Sequence, residues 1–224
     1  DRSTMRQVIK LSEKISKSAY TEQDKVDELL EAVEDDIQEL ARTRNTSKGY
    51  VPIQDLVVDV LDRMDEAAKT KGKVIGVPTG FVDLDDALTG MKGSQLILVA
   101  ARPAMGKTAF VLNIAHYVAV KKNLPCAFFS LEMPSHQLVS RLMAMDSMVN
   151  TKAMTTGELA GAELDMVLDS AEVIGSTNLI IEDPSGLSLG ALRSKCRKLK
   201  EEQDIGLVII DYLQLMDGNP RVDS

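Results

Sequence analysis

The chain has 224 residues, 44% of them hydrophobic, and a formal net charge of −8. That is enough apolar material for a sizeable core, and the acidity excludes a protein that coats nucleic acid by bulk attraction, although a local basic groove, for instance between subunits, stays open. With no Trp, four Tyr and four Phe, a surface that stacks single-stranded bases would be thin.

No apolar run approaches the roughly 20 residues a membrane helix needs, and no secretory h-region opens the chain. Cys126 and Cys196 lie far apart, belong to no metal-ligand spacing, and read as reduced thiols of a cytosolic protein. The chain opens on Asp1 instead of Met, so a processed end or a piece of a larger polypeptide is expected.

Residues 1–42 carry helical periodicity and no strand pattern. Thr21 and Asp24 have the spacing of a capping box with Asp for Glu, and Val26, Leu30, Val33, Ile37 and Leu40 follow as a narrow seam. Such a stripe must pack on another helix, either Met5 to Tyr20 as a hairpin or a partner chain. An ordinary amphipathic hairpin is preferred to a DNA- or cofactor-binding role.

Arg42 to Tyr50 is polar, aperiodic and reads as a linker. Pro52 is well placed to open a helix over Ile53 to Ala67, with a richer stripe of Ile53, Leu56, Val57, Val60, Leu61 and Met64. Thr70 to Gly80, with Gly72, Gly76, Pro78 and Gly80, tethers its far end. A short apolar helix on two tethers is expected to dock in a groove, of this chain or a neighbour.

From Phe81 onward apolar runs alternate with helical stretches, the pattern of a parallel α/β sheet. Strands are predicted at Leu96 to Ala100, Ala127 to Leu131, Leu179 to Ile181 and Leu207 to Ile210, and helices at Lys107 to Lys121, Ser135 to Met148, Ala162 to Ile174 and Leu189 to Glu201. Functional groups in such sheets gather at the carboxyl ends of the strands.

The first of these runs leads into Ala101-Arg102-Pro103-Ala104-Met105-Gly106-Lys107-Thr108, which reads as a phosphate-binding P-loop. Such a loop turns backbone N–H groups inward, and the following helix adds the partial positive charge of its N-terminus. Lys107 would supply a cation for the β and γ phosphates of a nucleotide and Thr108 a ligand for Mg2+. Ala101 stands where the general pattern has Gly, a departure because Ala resists positive φ.

Leu207-Val208-Ile209-Ile210-Asp211 has the Walker B form, in which Asp211 holds Mg2+ or its water ligands. Paired with a P-loop about a hundred residues earlier, it makes nucleotide binding the leading reading. Tyr212, not Glu, follows Asp211, so the catalytic base must come from elsewhere. Glu132, leaving the second strand on the P-loop edge, is the candidate, against the plainer reading that it caps the helix beginning near Pro134 and Ser135.

His116 reads as structural and His136 as solvated, and no histidine pair has metal spacing. Arg102 is equally compatible with phosphate contact and with a solvated or subunit-facing role. Arg193, Lys195, Arg197, Lys198 and Lys200 read as a solvated helix face, and Met143, Met145 and Met148 as flexible core filling.

Three strings are specific enough to name a resemblance: Ala100 to Thr108, Phe129-Ser130-Leu131-Glu132-Met133 and Ile210-Asp211-Tyr212-Leu213-Gln214-Leu215-Met216. With Gly76-Val77-Pro78-Thr79-Gly80-Phe81 followed by Leu84-Asp85, they resemble the DnaB-like family of bacterial replicative DNA helicases. That family's P-loop also begins with Ala, which turns Ala101 from a blemish into a marker. The likeness runs over essentially the whole chain: residues 1–42 resemble the end of the amino-terminal domain, 43–80 the linker with its docking helix, and 81–224 the ATPase domain as far as Walker B.

The resemblance implies a RecA-like P-loop fold, a homohexamer, and ATP-driven translocation on single-stranded DNA that unwinds duplex at the replication fork. Its usual partners are primase and a helicase loader, and its linker helix docks on the adjacent subunit. Carried over by position, Ala101 to Thr108 bind ATP, Thr108 and Asp211 serve Mg2+, and Glu132 is the base. The chain stops at Ser224, before the DNA-contacting loops and arginine finger of that family, so these 224 residues by themselves are expected to bind ATP without unwinding. The competing expectations are another RecA-like ATPase, of recombination or clock type, and a non-catalytic module whose assembly responds to nucleotide.

Overall fold

The computed structural model describes residues 2–21, 29, 32–33, 36–37, 52–69 and 76–217. The chain divides into two compact units, Asp1–Lys69 and Thr70–Ser224.

The first unit contains α1 (Arg2–Thr21) and α2 (Ile53–Lys69). Residues 29, 32–33 and 36–37 are helical, and Lys14 of α1 ion-pairs with Asp36. Pro52 precedes α2, where its missing N–H costs nothing, and Asp55 faces the positive end of the helix dipole. The stripe from Ile53 to Met64 is present and exposed along its length. Thr21 is the last residue of α1, while Asp24, its partner in the expected capping box, the rest of the seam, the Arg42 to Tyr50 linker and most of the glycine-rich tether lie outside the described residues.

The second unit is built on a three-stranded parallel sheet of β1 (Cys126–Ser130), β2 (Leu179–Glu182) and β3 (Leu207–Asp211), in the order β2-β1-β3. Central β1 is buried along its whole length, and its alternating side chains supply both faces. Phe128 packs with Leu112, Ala115, Leu138 and Leu142, while Phe129 packs with Ala127, Leu187, Leu192 and Ile205 on the other side. Helices therefore cover the sheet on both faces: α4 (Lys107–His116) and α5 (Ser135–Ser147) on one, α8 (Leu189–Gln203) on the other. This is the predicted α/β class. Between these, α7 (Gly161–Gly175) matches the predicted Ala162 to Ile174 helix within a residue at each end.

Two short helices escaped the periodicity, α3 (Val82–Leu88) and α6 (Thr151–Thr156). The second had a usable signature: Asn150 caps it, its Oδ1 accepting from the Lys152 N–H at 2.8 Å, and Gly157 closes it in the left-handed region. The predicted Lys107 to Lys121 helix is α only to His116, and Tyr117–Lys121 continues as a π turn. Met148 is 85% exposed, not core filling, because α5 ends on it in a left-handed conformation that turns its side chain out of the helix face.

The largest departure precedes the P-loop. Leu96 to Ala100 forms no strand: the segment is irregular, Leu96 is 81% exposed, and its backbone finds no partner among the described residues. An apolar run becomes a strand only when a neighbouring strand takes up its N–H and C=O groups. Here, among the described residues, β2 and β3 each keep one open edge, and the segment ladders onto neither.

The start of the second unit is clasped to the P-loop helix. Val77 and Met91 form an antiparallel bridge. Buried Asp85 accepts from the Thr79 N–H at 2.6 Å, the Thr79 hydroxyl at 2.8 Å and the Gly80 N–H at 3.1 Å. Gly80 has φ +88°, and a Cβ there would stand 2.5 Å from Cγ of Tyr117, so this position takes only Gly. Phe81 stacks on Phe110 of α4 with ring centroids 5.0 Å apart.

Candidate functional site

The sheet register sets the site. Ser130 pairs with Asp211 at the carboxyl ends of β1 and β3, and the Leu131 N–H donates to the Asp211 carbonyl at 2.8 Å. Glu132 therefore leaves the sheet two residues beyond the rung that carries Asp211. On the same edge the P-loop turns on Ala104 (φ 62°) and Gly106 (φ 86°), with the Met105 N–H donating to the Arg102 carbonyl at 3.2 Å, and α4 starts at Lys107. Positive φ falls on Ala104 and Gly106 and not on Ala101, so Ala at the head of the loop carries no strain.

Lys107, Thr108 and Asp211 form one cluster. The Thr108 hydroxyl donates to Asp211 Oδ2 at 2.5 Å, and Lys107 Nζ lies 3.1 Å from Asp211 Oδ1. Asp211 is 2% exposed, and these two contacts fill both of its oxygens; a buried carboxylate is tolerable only when paired in this way. Lys107 Nζ also lies 3.9 Å from the centroid of the Tyr212 ring.

Glu132 is exposed, and its carboxylate has no partner among the described residues. The loop beneath it is held by Ser130, whose hydroxyl donates to the Met133 carbonyl at 2.6 Å and accepts from the Met133 N–H at 3.2 Å. The cap of α5 comes from elsewhere: the Ser135 N–H donates to Asp183 Oδ2 at 2.8 Å. That hydrogen bond holds the Asp183 carboxyl below its ordinary range, helped by the nearby His136. Ser130, Asp183 and Tyr212 were not singled out as supporting residues. Ser130 and Tyr212 stand inside the recognisable strings, whereas Asp183 becomes visible only once β2 lies beside β1.

Of the remaining loop residues, Pro103 sits in the turn, and Arg102 and Met105 point to solvent, with no ion-pair partner for Arg102 among the described residues. His116 pairs with Asp146 at 2.8 Å between α4 and α5, a structural role as expected, and His136 is exposed. In the basic run of α8, Lys195 pairs with Glu182 at 2.6 Å, Lys198 with Glu202 at 4.0 Å and Lys200 with Asp204, which suits a solvated face. Burial raises the Cys126 thiol from 9.0 to about 12, and burial and then Glu182 raise Cys196.

No cluster of three or more His, Cys, Asp or Glu side chains that could hold a metal occurs among the described residues. The donor set fits Mg2+ nonetheless: one carboxylate and one hydroxyl, both hard oxygen donors, stand within hydrogen-bonding distance of each other, and Mg2+ completes its shell from phosphate oxygens and water. No described helix is long and apolar enough to cross a membrane.

A parallel α/β sheet with a glycine-turned loop and a buried carboxylate at its carboxyl edge defines the class of RecA-like P-loop folds. Residues 76–224 match the DnaB-like helicase C terminal domain, and the chain belongs to that family. It is 38% identical over 221 residues to the replicative DNA helicase DnaC of Bacillus subtilis (strain 168), covering 99% of this chain and 48% of that protein. It is 36% identical to the replicative DNA helicase DnaB of Geobacillus stearothermophilus, with the same coverage. A DnaB-like replicative helicase, solved with attention to its interactions with primase, superposes with a TM-score of 0.77 at 26% identity, over 99% of this chain and 50% of that one. The chain spans about half the length of the curated relatives it matches.

Proposed function

We propose that the chain is the nucleotide-binding part of an ATP-driven replicative DNA helicase subunit. The observation that carries the reading is the meeting of Lys107, Thr108 and Asp211 at the sheet edge beside Glu132. Residues 1–42 are the helical arm, 43–80 the linker with its docking helix, and 81–224 the ATPase domain, with residues 76–80 clasped onto it.

In this reading the Ala101 to Gly106 backbone cradles the phosphates of ATP, and Lys107 swings from Asp211 to the β and γ phosphates. The Thr108 hydroxyl and Asp211 hold the magnesium ion. Bound there, Mg2+ would supply positive charge that offsets the phosphates. Glu132, with no partner among the described residues, takes a proton from the attacking water. Translocation on single-stranded DNA, unwinding, the homohexamer, contacts with primase and a loader, and a cytoplasmic setting belong to the whole protein and rest on family membership.

The test is DNA-stimulated ATP hydrolysis by the intact protein, wild type against Glu132→Gln. A motor subunit turns over ATP, is stimulated by single-stranded DNA, and loses turnover in the variant. A nucleotide-dependent assembly module shows neither turnover nor stimulation, and that result would displace the helicase reading.

A further inference from the structure

Glu132 has no side-chain partner among the described residues, so the backbone that carries it sets where its carboxylate stands. That backbone is pinned at every second residue. The Leu131 N–H donates to the Asp211 carbonyl at 2.8 Å; the Met133 carbonyl accepts from the Ser130 hydroxyl at 2.6 Å and its N–H donates to that oxygen at 3.2 Å; the Ser135 N–H donates to Asp183 Oδ2 at 2.8 Å. The first two pins come from the ends of β3 and β1, and the third reaches in from β2.

The third pin is one that α5 does not supply for itself. Pro134 occupies the N-cap position (φ −60°, ψ 144°), and it has no side-chain acceptor for the first N–H groups of the helix. Parallel pairing brings a substitute alongside. Glu182 of β2 pairs with Phe129 of β1, so Asp183 leaves β2 level with Ser130, on the edge from which Glu132 also emerges. Asp183 is exposed, and among the described residues it bonds to none of Lys107, Thr108 and Asp211.

We infer that Asp183 is a positioning residue for Glu132: from the end of β2 it holds the α5 end of the loop that presents the catalytic carboxylate. The inference rests on the reading of Glu132 as the base and adds the residue that fixes where that base stands. Misplacing a catalytic group by about 1 Å can cost about 10²-fold in rate. Nucleotide binding, which falls to the P-loop and Asp211, does not depend on this pin.

Single-turnover ATP hydrolysis by the intact protein, with Mg2+ and single-stranded DNA present and nucleotide affinity measured in parallel, tests this. Asp183→Ala hydrolyses about 10- to 100-fold more slowly and binds ATP within about twofold of the wild type. Asp183→Asn, which keeps an oxygen acceptor for the Ser135 N–H, recovers most of the rate. Asp183→Ser keeps a hydroxyl of shorter reach and falls between the two, which serves if Asp183→Ala folds poorly. A double-mutant cycle supplies the readout that a cap acting on stability alone would not move: with Glu132→Gln in place, Asp183→Ala slows hydrolysis no further.

Wild-type hydrolysis by Asp183→Ala, an equal loss with Glu132→Gln already in place, or a loss confined to ATP affinity overturns the role of Asp183. If Glu132→Gln is slow while Asp183→Ala is not, the base stands and only the positioning role falls. If Glu132→Gln hydrolyses normally, both readings fall together.

Discussion

Thr108 and Asp211 are 103 residues apart in sequence, yet the hydroxyl of one donates to the carboxylate of the other at 2.5 Å. The contact joins the start of α4 to the end of β3 and leaves Asp211 almost wholly enclosed. The two residues would share Mg2+, so Thr108→Ala should bind ATP alone nearly as before but lose the strengthening that Mg2+ brings, by about 10- to 100-fold. Titrating nucleotide with and without Mg2+ checks this, and an undiminished Mg2+ effect would refute it.

Glu132→Gln should bind nucleotide like the wild type, because Glu132 touches neither Lys107 nor Thr108. Hydrolysis should fall by about 10²- to 10⁴-fold, the usual worth of a general base. Single-turnover kinetics with a parallel binding measurement separate the two effects. A variant that hydrolyses normally would return Glu132 to the role of a surface residue.

Asp85 holds the start of the second unit through three hydrogen bonds, to the Thr79 N–H, the Thr79 hydroxyl and the Gly80 N–H. Asp85→Ala strands buried donors and should cost about 3 kcal/mol. The exposed neighbour Asp86 provides the control, since Asp86→Ala should change stability by no more than about 0.5 kcal/mol. Chemical denaturation measures both.

Cys126 should make the protein sensitive to alkali. Its thiol is raised to about 12 by burial, from 9.0 in the unfolded chain. Below pH 9 both states keep the proton and stability is unaffected. Between about pH 9 and 12 the unfolded chain alone releases it, so stability falls as pH rises, at up to about 1.4 kcal/mol per pH unit. Comparing denaturation midpoints of the wild type and Cys126→Ala across that range isolates the contribution, and parallel curves would refute it.

Much of the site was legible because its parts are local. The loop from Ala101 to Thr108, the run into Asp211 and the string around Glu132 each occupy fewer than about ten residues, within reach of pattern and spacing. Alternation along β1, which sends Phe128 and Phe129 to opposite faces, was likewise carried by its apolar run. The short helices α3 and α6 were missed because six or seven residues are too few for a 3.6-residue period to stand out, although Asn150 and Gly157 bracketed one of them.

Sequence alone determined the identity of the chemical groups, the α/β class and the family, since helical and strand periodicities and short motifs are properties of contiguous residues. Only the tertiary structure decided that Lys107 and Thr108 converge on Asp211 with Lys107 also over the Tyr212 ring, that Asp183 rather than Glu132 caps α5, and that Leu96 to Ala100 remains outside the sheet. The physical reason is the same in each case. A hydrogen bond, an ion pair or a strand ladder belongs to two segments at once, and one segment's pattern states what it offers but not which partner stands beside it.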